Sequence, residues 1–369
     1  MVAALGIGRF AYTPLLPEMV AAYGWDFAQA GDLASVNFLG YLIGALLARA
    51  AAESRLIHVW IACSLMASAG TTYLGAEATS YVAWLAVRAA SGIASAYCLV
   101  TVTTLVMRAL AQSGPGAAKW DSVHFSGVGI GMVLSILVVA NPALVATHWA
   151  NLGALSALLL AIAWFLLGRI RAPVAAARTA AANVVEDSRA LWGLIVGYGL
   201  FGFGYVVSAT FIVAIADVHP DLGEIKPMQV WLVAGCALIP SVPVWVLCAE
   251  RIGLMRTLQI AYLLEAVGVL LTVFGGSVWL LFAGAVCLGG TFAAITALGL
   301  SAAGRIAPSR AAFAISTMTV AFAVGQLLGP AVAGRMADAF GSFVWPSALA
   351  CALLVIAALL VSSREPESG

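Results

Sequence analysis

The chain has 369 residues, of which 63% are hydrophobic and only 9% are charged, with a formal net charge of +1. An ordinary soluble domain carries about 25% charged residues, so this composition excludes a soluble enzyme, a disordered chain and a coiled coil. The absence of a basic block also excludes a nucleic-acid partner, and the remaining class is a polytopic membrane protein embedded in the lipid bilayer.

Apolar runs of about 20 residues, the length that crosses a bilayer as a helix, recur along the chain between short polar breaks. Each run is predicted to be a helix, because no run alternates polar and apolar residues and lipid satisfies no backbone polar group. The twelve predicted spans are 1–22, 31–51, 57–75, 80–107, 121–142, 148–169, 190–215, 228–249, 256–274, 278–303, 311–334 and 342–362. The predicted fold class is therefore an all-α polytopic membrane protein.

Lysine and arginine are distributed unevenly among the connections. Of these 17 residues, thirteen lie in connections on one face, Lys226 and Arg335 lie on the other, and Arg9 and Arg88 fall inside spans. Since positive charge collects on the cytoplasmic side, both termini are predicted to be cytoplasmic.

The longest polar connection, 170–189, is basic and rich in alanine. It separates two sets of six spans. We therefore expect an N-terminal six-helix bundle over 1–169, a cytoplasmic linker over 170–189, and a C-terminal six-helix bundle over 190–369 that ends in a short polar tail.

The two halves echo each other at a nearly constant offset of 194 to 197 residues. The matched pairs are Gly6 with Gly202, Glu53 with Glu250, Gly92 with Gly289, and Gly131 with Gly325. Six spans per half give both halves the same orientation, so the repeat is predicted to be parallel, about an axis along the membrane normal.

Arg9 is the main candidate functional residue of the first span. It lies about 12 Å from the start of the predicted helix, at a rise of 1.5 Å per residue. A mid-span arginine costs at least about 2.5–3.5 kcal/mol unless it is paired or hydrated. The functional interpretation is that Arg9 lines a water-filled cavity. The structural alternatives are that it forms an ion pair or that its long side chain snorkels to the cytoplasmic face. Gly6 and Gly8 permit close helix approach, and Pro14 and Pro17 predict a kink.

Titratable groups in later spans have two interpretations each. Asp32 and Asp121 begin the second and fifth predicted spans, where a carboxylate is typical of an N-cap. His124 is a candidate proton relay or a hydrogen-bonded packing residue. Arg88 precedes a small-residue stripe, and its functional and structural interpretations remain equally open. Glu265 lies in the middle of the ninth span, where we expect it to meet a neighbouring helix.

The sequence contains no HExxH, GxSxG or Walker GxxxxGKS/T motif and no acidic cluster suited to Mg²⁺. Its six cysteines form no CxxC pair and are interpreted as small buried hydrophobic residues. We therefore expect no enzymatic activity, no catalytic residue, no cofactor and no metal site.

Two short motifs are typical of one transporter superfamily. Residues 88–92, Arg-Ala-Ala-Ser-Gly, resemble the RxxxG signature of major facilitator transporters. Residues 250–253, Glu-Arg-Ile-Gly, resemble their acidic-Arg-x-Gly loop motif. The first-half copy of that loop keeps Arg49 but has Ala48 at the acidic position.

Residues 5–17, 124–129 and 198–205 are similar to the bacterial YbfB/YjiJ-type branch of that superfamily. The resemblance implies two pseudo-symmetric bundles that rock about a midplane site. It implies that helices 1, 4, 7 and 10 line a cavity and that helices 2, 5, 8 and 11 form gates. It further implies a monomer in the bacterial cytoplasmic (inner) membrane.

This arrangement selects two groups of candidate residues. The candidate solute-binding residues are Arg9, Tyr12, Asn37, Tyr198, Tyr205 and Gln326. The candidate proton-coupling or gating residues are Arg88, Asp32, Asp121, His124, Glu250 and Arg251. In antiporters of the superfamily, the arginine of RxxxG is associated with proton coupling.

The predicted function is secondary active transport of a small organic solute by alternating access, with proton-coupled efflux favoured by the resemblance. Uptake by proton symport and a non-transporting sensor or assembly factor on the same scaffold are the alternatives. Since few charges other than arginine are expected in the cavity, a neutral or anionic solute fits better than a cation.

Overall fold

The computed structural model describes residues 1–111, 123–141, 143–167, 188–219, 223–274, 276–307 and 310–361. Over these residues the chain is helical and contains no strand, as predicted. Nine of the described helices are long and apolar enough to cross a membrane. The predicted linker 170–189 lies almost entirely outside the described residues, and Asp121 lies wholly outside them.

Twelve α-helices follow one another along the described chain. Those of the first half are α1 (Tyr12–Tyr23), α2 (Phe27–Glu53), α3 (Ile57–Leu74), α4 (Tyr81–Ala111), α5 (Ser126–Val139) and α6 (Val145–Leu167). Those of the second half are α7 (Ser188–Asp217), α8 (Met228–Ile252), α9 (Leu254–Phe274), α10 (Val278–Ile306), α11 (Ala311–Phe340) and α12 (Val344–Leu360).

Contacts divide the chain into two compact units. The first comprises Met1–Trp25 and Asp32–Ala176, and the second comprises Asp26–Gly31 and Ala177–Gly369. Within the first unit, α3 packs against α4 and α6. Within the second unit, α7 packs against α11 and α12, and α10 packs against α8 and α9.

The first span is not regular α-helix throughout, whereas the sequence predicted one helix with a kink. Val2–Ile7 is π-helical, and a turn precedes α1. Gly8 N–H donates to the Ala3 carbonyl at 2.8 Å and Phe10 N–H donates to the Leu5 carbonyl at 3.1 Å, so both bonds reach back five residues instead of four. The turn contains Arg9.

The start of α2 corrects the interpretation of Asp32. The helix begins at Phe27, so Asp32 lies in its second turn and is not the N-cap. Asp26 takes that place, since its carboxylate accepts from Gln29 N–H at 2.7 Å while Gln29 Oε1 accepts from Asp26 N–H at 3.2 Å. The Asp338 carboxylate accepts from Phe27 N–H at 3.1 Å and from Ala28 N–H at 2.7 Å. These bonds satisfy the amide groups that a helix start leaves free.

Glycines allow helix backbones to touch at matching places in each unit. A methyl group built on Gly92 of α4 would lie 2.0 Å from the Asn37 carbonyl oxygen of α2. A methyl group on Gly289 of α10 would lie 1.9 Å from the Ala234 carbonyl oxygen of α8. Only glycine fits such crossings, as the small-residue stripe after Arg88 predicted.

Candidate functional site

Arg9 lies in the turn between the π-helical segment and α1 and is only 6% exposed. Its guanidinium carbon is 4.3 Å from the ring centroid of Tyr41 and 4.5 Å from that of Phe38, both on α2. These are cation–π contacts, which offset part of the cost of a buried positive charge. Among the described residues Arg9 has no carboxylate partner, and its Nε and Nη2 atoms make no hydrogen bond.

Arg88 of α4 is 3% exposed and belongs to the same unit. Its guanidinium carbon lies 4.6 Å from the ring centroid of Tyr12, the first residue of α1. Asn37 Nδ2 donates to the Arg88 carbonyl oxygen at 2.9 Å. Three of the predicted residues, Tyr12, Asn37 and Arg88, are thus brought into contact.

The turn at Arg9 is supported from α4. Ser91 Oγ, which is buried, donates to the Gly8 carbonyl oxygen at 2.9 Å. This bond provides a partner for a carbonyl at the point where the regular helical pattern is lost. Since Arg88 and Ser91 are one turn apart on α4, one helix face both contacts Tyr12 and stabilises the turn.

A second cluster lies in the second unit, on α7, α10 and α11. The Tyr205 ring stacks on Phe292 and Phe322, with ring centroids 5.4 and 5.7 Å apart. Tyr198 stacks on Phe322 at 4.9 Å. Gln326 Nε2 donates to the Tyr205 hydroxyl, and Gln326 Oε1 is left without a partner. The predicted residues Tyr198, Tyr205 and Gln326 therefore share one aromatic cluster.

Glu265 of α9 is fully buried in the second unit. Its Oε2 accepts from Thr291 Oγ1 of α10 at 2.8 Å, whereas Oε1 has no hydrogen-bond partner. The contact with a neighbouring helix agrees with the prediction. No described cation pairs with this carboxyl group.

Residues 1–362 match the family described as uncharacterised MFS-type transporter YbfB, in which MFS denotes the major facilitator superfamily. The chain belongs to this family. The predicted resemblance and the fold of two pseudo-symmetric six-helix bundles are confirmed, and the family is one of membrane transporters.

Relatives and solved structures agree with that membership. A chloramphenicol resistance protein of Streptomyces lividans is 26% identical over 401 residues, covering 98% of this chain and 93% of the relative. The nucleoside transporter NupG has a TM-score of 0.71 at 16% identity, covering 97% of this chain and 96% of its own. The human organic anion transporter MFSD10 (TETRAN) has a TM-score of 0.66 at 17% identity, covering 98% of this chain and 97% of its own. Likeness at such identity shows the shared fold.

The other predicted residues of this YbfB-type transporter are dispersed. Asp32 is half-buried in α2. His124 precedes α5 in a short 3-10 turn and is not one turn inside the helix as predicted; its Nε2 lies 3.0 Å from Thr103 Oγ1. Glu250 and Arg251 are exposed in the last turn of α8. Gly253, at a φ of +92° that favours glycine, ends that helix and explains the glycine of the loop motif.

Sequence reasoning missed the aromatic partners of the candidate residues. Phe38 and Tyr41 are one helical turn apart and so share a face of α2, which was the available signal. Phe292 and Phe322 have no such signature in an apolar span. Sequence reasoning also missed the partner of Glu18 of α1, whose Oε2 lies 3.6 Å from Nε2 of the buried His148.

Proposed function

We propose that the protein is a secondary active transporter that moves a small organic solute across the bacterial cytoplasmic membrane by proton-coupled efflux. It works as a monomer by alternating access, with both termini in the cytoplasm. The observation that carries the proposal is the π-helical segment Val2–Ile7, whose widened hydrogen-bonding pattern extends to the turn that holds Arg9. Such π-helical turns within α-helical spans are frequent at functional sites.

The candidate solute-binding groups of this proposal form two separate sets, one within each unit. Arg9, Tyr12 and Asn37 belong to the first, and the aromatic cluster of Tyr198 and Tyr205 with Gln326 belongs to the second. Charged and amide groups orient the solute by hydrogen bonds, while the stacked rings supply apolar contact area. The polar atoms left without partners on Arg9 and Gln326 support this assignment.

Efflux is favoured over uptake because the relative from Streptomyces lividans is a chloramphenicol resistance protein. Resistance by a membrane transporter of this fold is explained by removal of the drug from the cytoplasm. At 26% identity the comparison supports the direction of transport and leaves the solute of this chain open.

Glu265 is the proton-carrying group in this proposal. Its free Oε1 and its single donor, Thr291, allow either protonation state of the carboxyl group to be accommodated after a small rearrangement. Among the described residues, Tyr262 on the same helix and Cys287 on α10 lie in electrostatic range of Glu265, and neither is a cation. Arg88, Asp32, Asp121 and His124 remain candidates in the first half, and Glu250 with Arg251 remains a candidate gate.

The test is a solute screen followed by flux measurement. Compounds that raise the melting temperature of the purified protein identify binders, since a ligand of the native state stabilises it by mass action. Each binder is then loaded into proteoliposomes with and without an imposed pH gradient. Proton-driven antiport is expected. Accumulation in the direction of proton flow indicates symport, and binding without flux under any gradient indicates a sensor; either result overturns the proposal.

A further inference from the structure

We infer that Arg9 and Arg88 together bind the oxyanion group of the transported solute, so that the solute is an organic anion. The inference rests on the proposed transport function and narrows its substrate class. It also gives Arg88 a role in binding, in place of the proton-coupling role implied by the signature in which it lies.

The first observation is that two positive charges are buried close together without a negative one. Arg9 is 6% exposed and Arg88 is 3% exposed. Arg88 contacts Tyr12, which follows Arg9 by three residues, and Ser91, one turn after Arg88, donates to the carbonyl of Gly8, the residue before Arg9. Among the described residues neither forms an ion pair with a carboxylate. Buried charges in proteins are ordinarily paired, so the missing partner is an anion.

The second observation is which atoms are free. Nε and Nη2 of Arg9 form one edge of the planar guanidinium and direct two parallel N–H groups to the same side. Both atoms are buried and make no hydrogen bond to any residue that the structure describes, and the same holds for Nε of Arg88. Two parallel N–H groups match the two oxygens of a carboxylate or phosphate in a bidentate pair.

The third observation is that the guanidinium groups are held in place by rings. Phe38 and Tyr41 lie 4.5 and 4.3 Å from the Arg9 guanidinium carbon, and Tyr12 lies 4.6 Å from that of Arg88. Rings contact the face of a guanidinium and do not occupy the acceptor positions around its edge. The cation–π contacts therefore orient both groups. The Tyr41 side chain also hydrogen-bonds Arg9, but Nε and Nη2 of Arg9 and Nε of Arg88 stay available to an incoming oxyanion.

The experiment uses the purified full chain and a set of isosteric probes. Benzoate, benzamide and benzamidine share one shape and carry a negative, zero and positive charge; phenyl phosphate adds a tetrahedral oxyanion. The melting temperature is expected to rise with millimolar benzoate or phenyl phosphate and to stay unchanged with benzamide and benzamidine. An equal rise with the neutral or cationic probe, or no rise with either oxyanion, overturns the inference.

Variants assign the effect to the two arginines. Arg9→Gln and Arg88→Gln are each expected to weaken oxyanion binding at least about tenfold, the factor that charged hydrogen bonds contribute. Arg256→Gln removes an exposed positive charge and is the matched control. If a glutamine variant does not fold, the corresponding lysine variant is used, and it is expected to weaken binding because it lacks the planar fork. Undiminished binding in the variants of both sites overturns the inference.

Flux measurements separate this inference from the proposed function. Proton-driven flux of a neutral solute, together with no oxyanion binding, leaves the transport function intact and overturns the anion site. Oxyanion binding that depends on both arginines but produces no flux overturns the transport function and supports the anion site.

Discussion

The residues that contact the Arg9 guanidinium include two from α2, about 30 positions further along the chain. Phe38 and Tyr41 contact its guanidinium from α2, and each cation–π contact of a desolvated arginine contributes up to about 2 kcal/mol. These contacts offset part of the cost of placing its charge in a membrane. Since they act on the flat face of the guanidinium, the shape of the group matters as well as its charge.

Arg9→Lys is expected to reduce transport at least about tenfold, because the compact ammonium group keeps the charge but cannot form a bidentate pair. The measurement is solute flux and binding affinity at normal expression. Arg256→Lys, at an exposed position on α9, is the control and is expected to retain activity. Wild-type flux and affinity in Arg9→Lys would contradict a solute-binding role for the guanidinium.

Glu265→Gln is expected to abolish proton-driven solute movement while solute exchange without a gradient continues. The amide oxygen of glutamine still accepts a hydrogen bond from Thr291, so folding is retained, but the side chain no longer carries a proton. Counterflow and pH-gradient-driven flux are measured side by side in proteoliposomes. Glu224→Gln, at an exposed position, is the control. Retained proton coupling in Glu265→Gln would exclude this residue as the proton carrier.

At the scale of the helices, glycine residues allow several pairs of helices to pack with their backbones in contact. Gly6 of the π-helical segment and Gly131 of α5 touch at the backbone, since a methyl group on Gly6 would lie 2.5 Å from Gly131 Cα. Their counterparts in the repeat, Gly202 and Gly325, occupy the crossing of α7 and α11, where a methyl group on Gly325 would lie 2.1 Å from the Gly199 carbonyl oxygen. Such contacts replace the hydrophobic driving force that lipid cannot supply between helices.

Gly289→Ala is expected to destabilise the protein by about 1–3 kcal/mol, because the added methyl group would lie 1.9 Å from a backbone oxygen of α8. Gly290→Ala, one residue further on the same helix, meets no atom within 4 Å and is the matched control. It is expected to be neutral or to stabilise by up to about 1 kcal/mol through helix propensity. Thermal unfolding in detergent measures both. Equal melting temperatures for the two variants would contradict the close crossing.

For the whole molecule, the repeat is visible in the packing of each half. Gly92 approaches the carbonyl of Asn37, and Gly289 approaches the carbonyl of Ala234; both members of the second pair lie 197 residues after those of the first. The same contact thus recurs at the same offset within each unit. The described part of this YbfB-type chain contains twelve α-helices, six in each half.

The topology prediction follows from the charge of the connection between the halves. In a cysteine-free background, Ala181→Cys is expected to resist an impermeant maleimide in whole cells, because the arginines around it keep it in the cytoplasm. Glu224→Cys, in the connection between α7 and α8, is expected to be labelled and serves as the control. Labelling of Ala181→Cys together with protection of Glu224→Cys would show that the topology is the opposite of the predicted one.

The start of α2 could not be predicted from the sequence, because the groups that stabilise it include one that is distant along the chain. Asp32 was interpreted as a cap because the apolar run begins near it, yet α2 begins at Phe27, where Asp26 and Asp338 satisfy its first amide groups. Asp338 follows Phe27 by 311 positions. The sequence around residue 27 contains no information about a hydrogen-bond partner that lies so far away in the chain.

The sequence by itself determined the membrane setting, the number of helices and the internal repeat. Hydropathy and glycine spacing can be read directly from the sequence. Apolar runs of this length form helices in a bilayer, because lipid satisfies no backbone polar group. Only the tertiary structure decided that the first span is π-helical before Arg9, that Phe38, Tyr41 and Tyr12 contact the two arginines, and that Glu265 accepts from Thr291. Those outcomes depend on which helices cross and at what depth, and crossings are set by contacts between residues far apart in the chain.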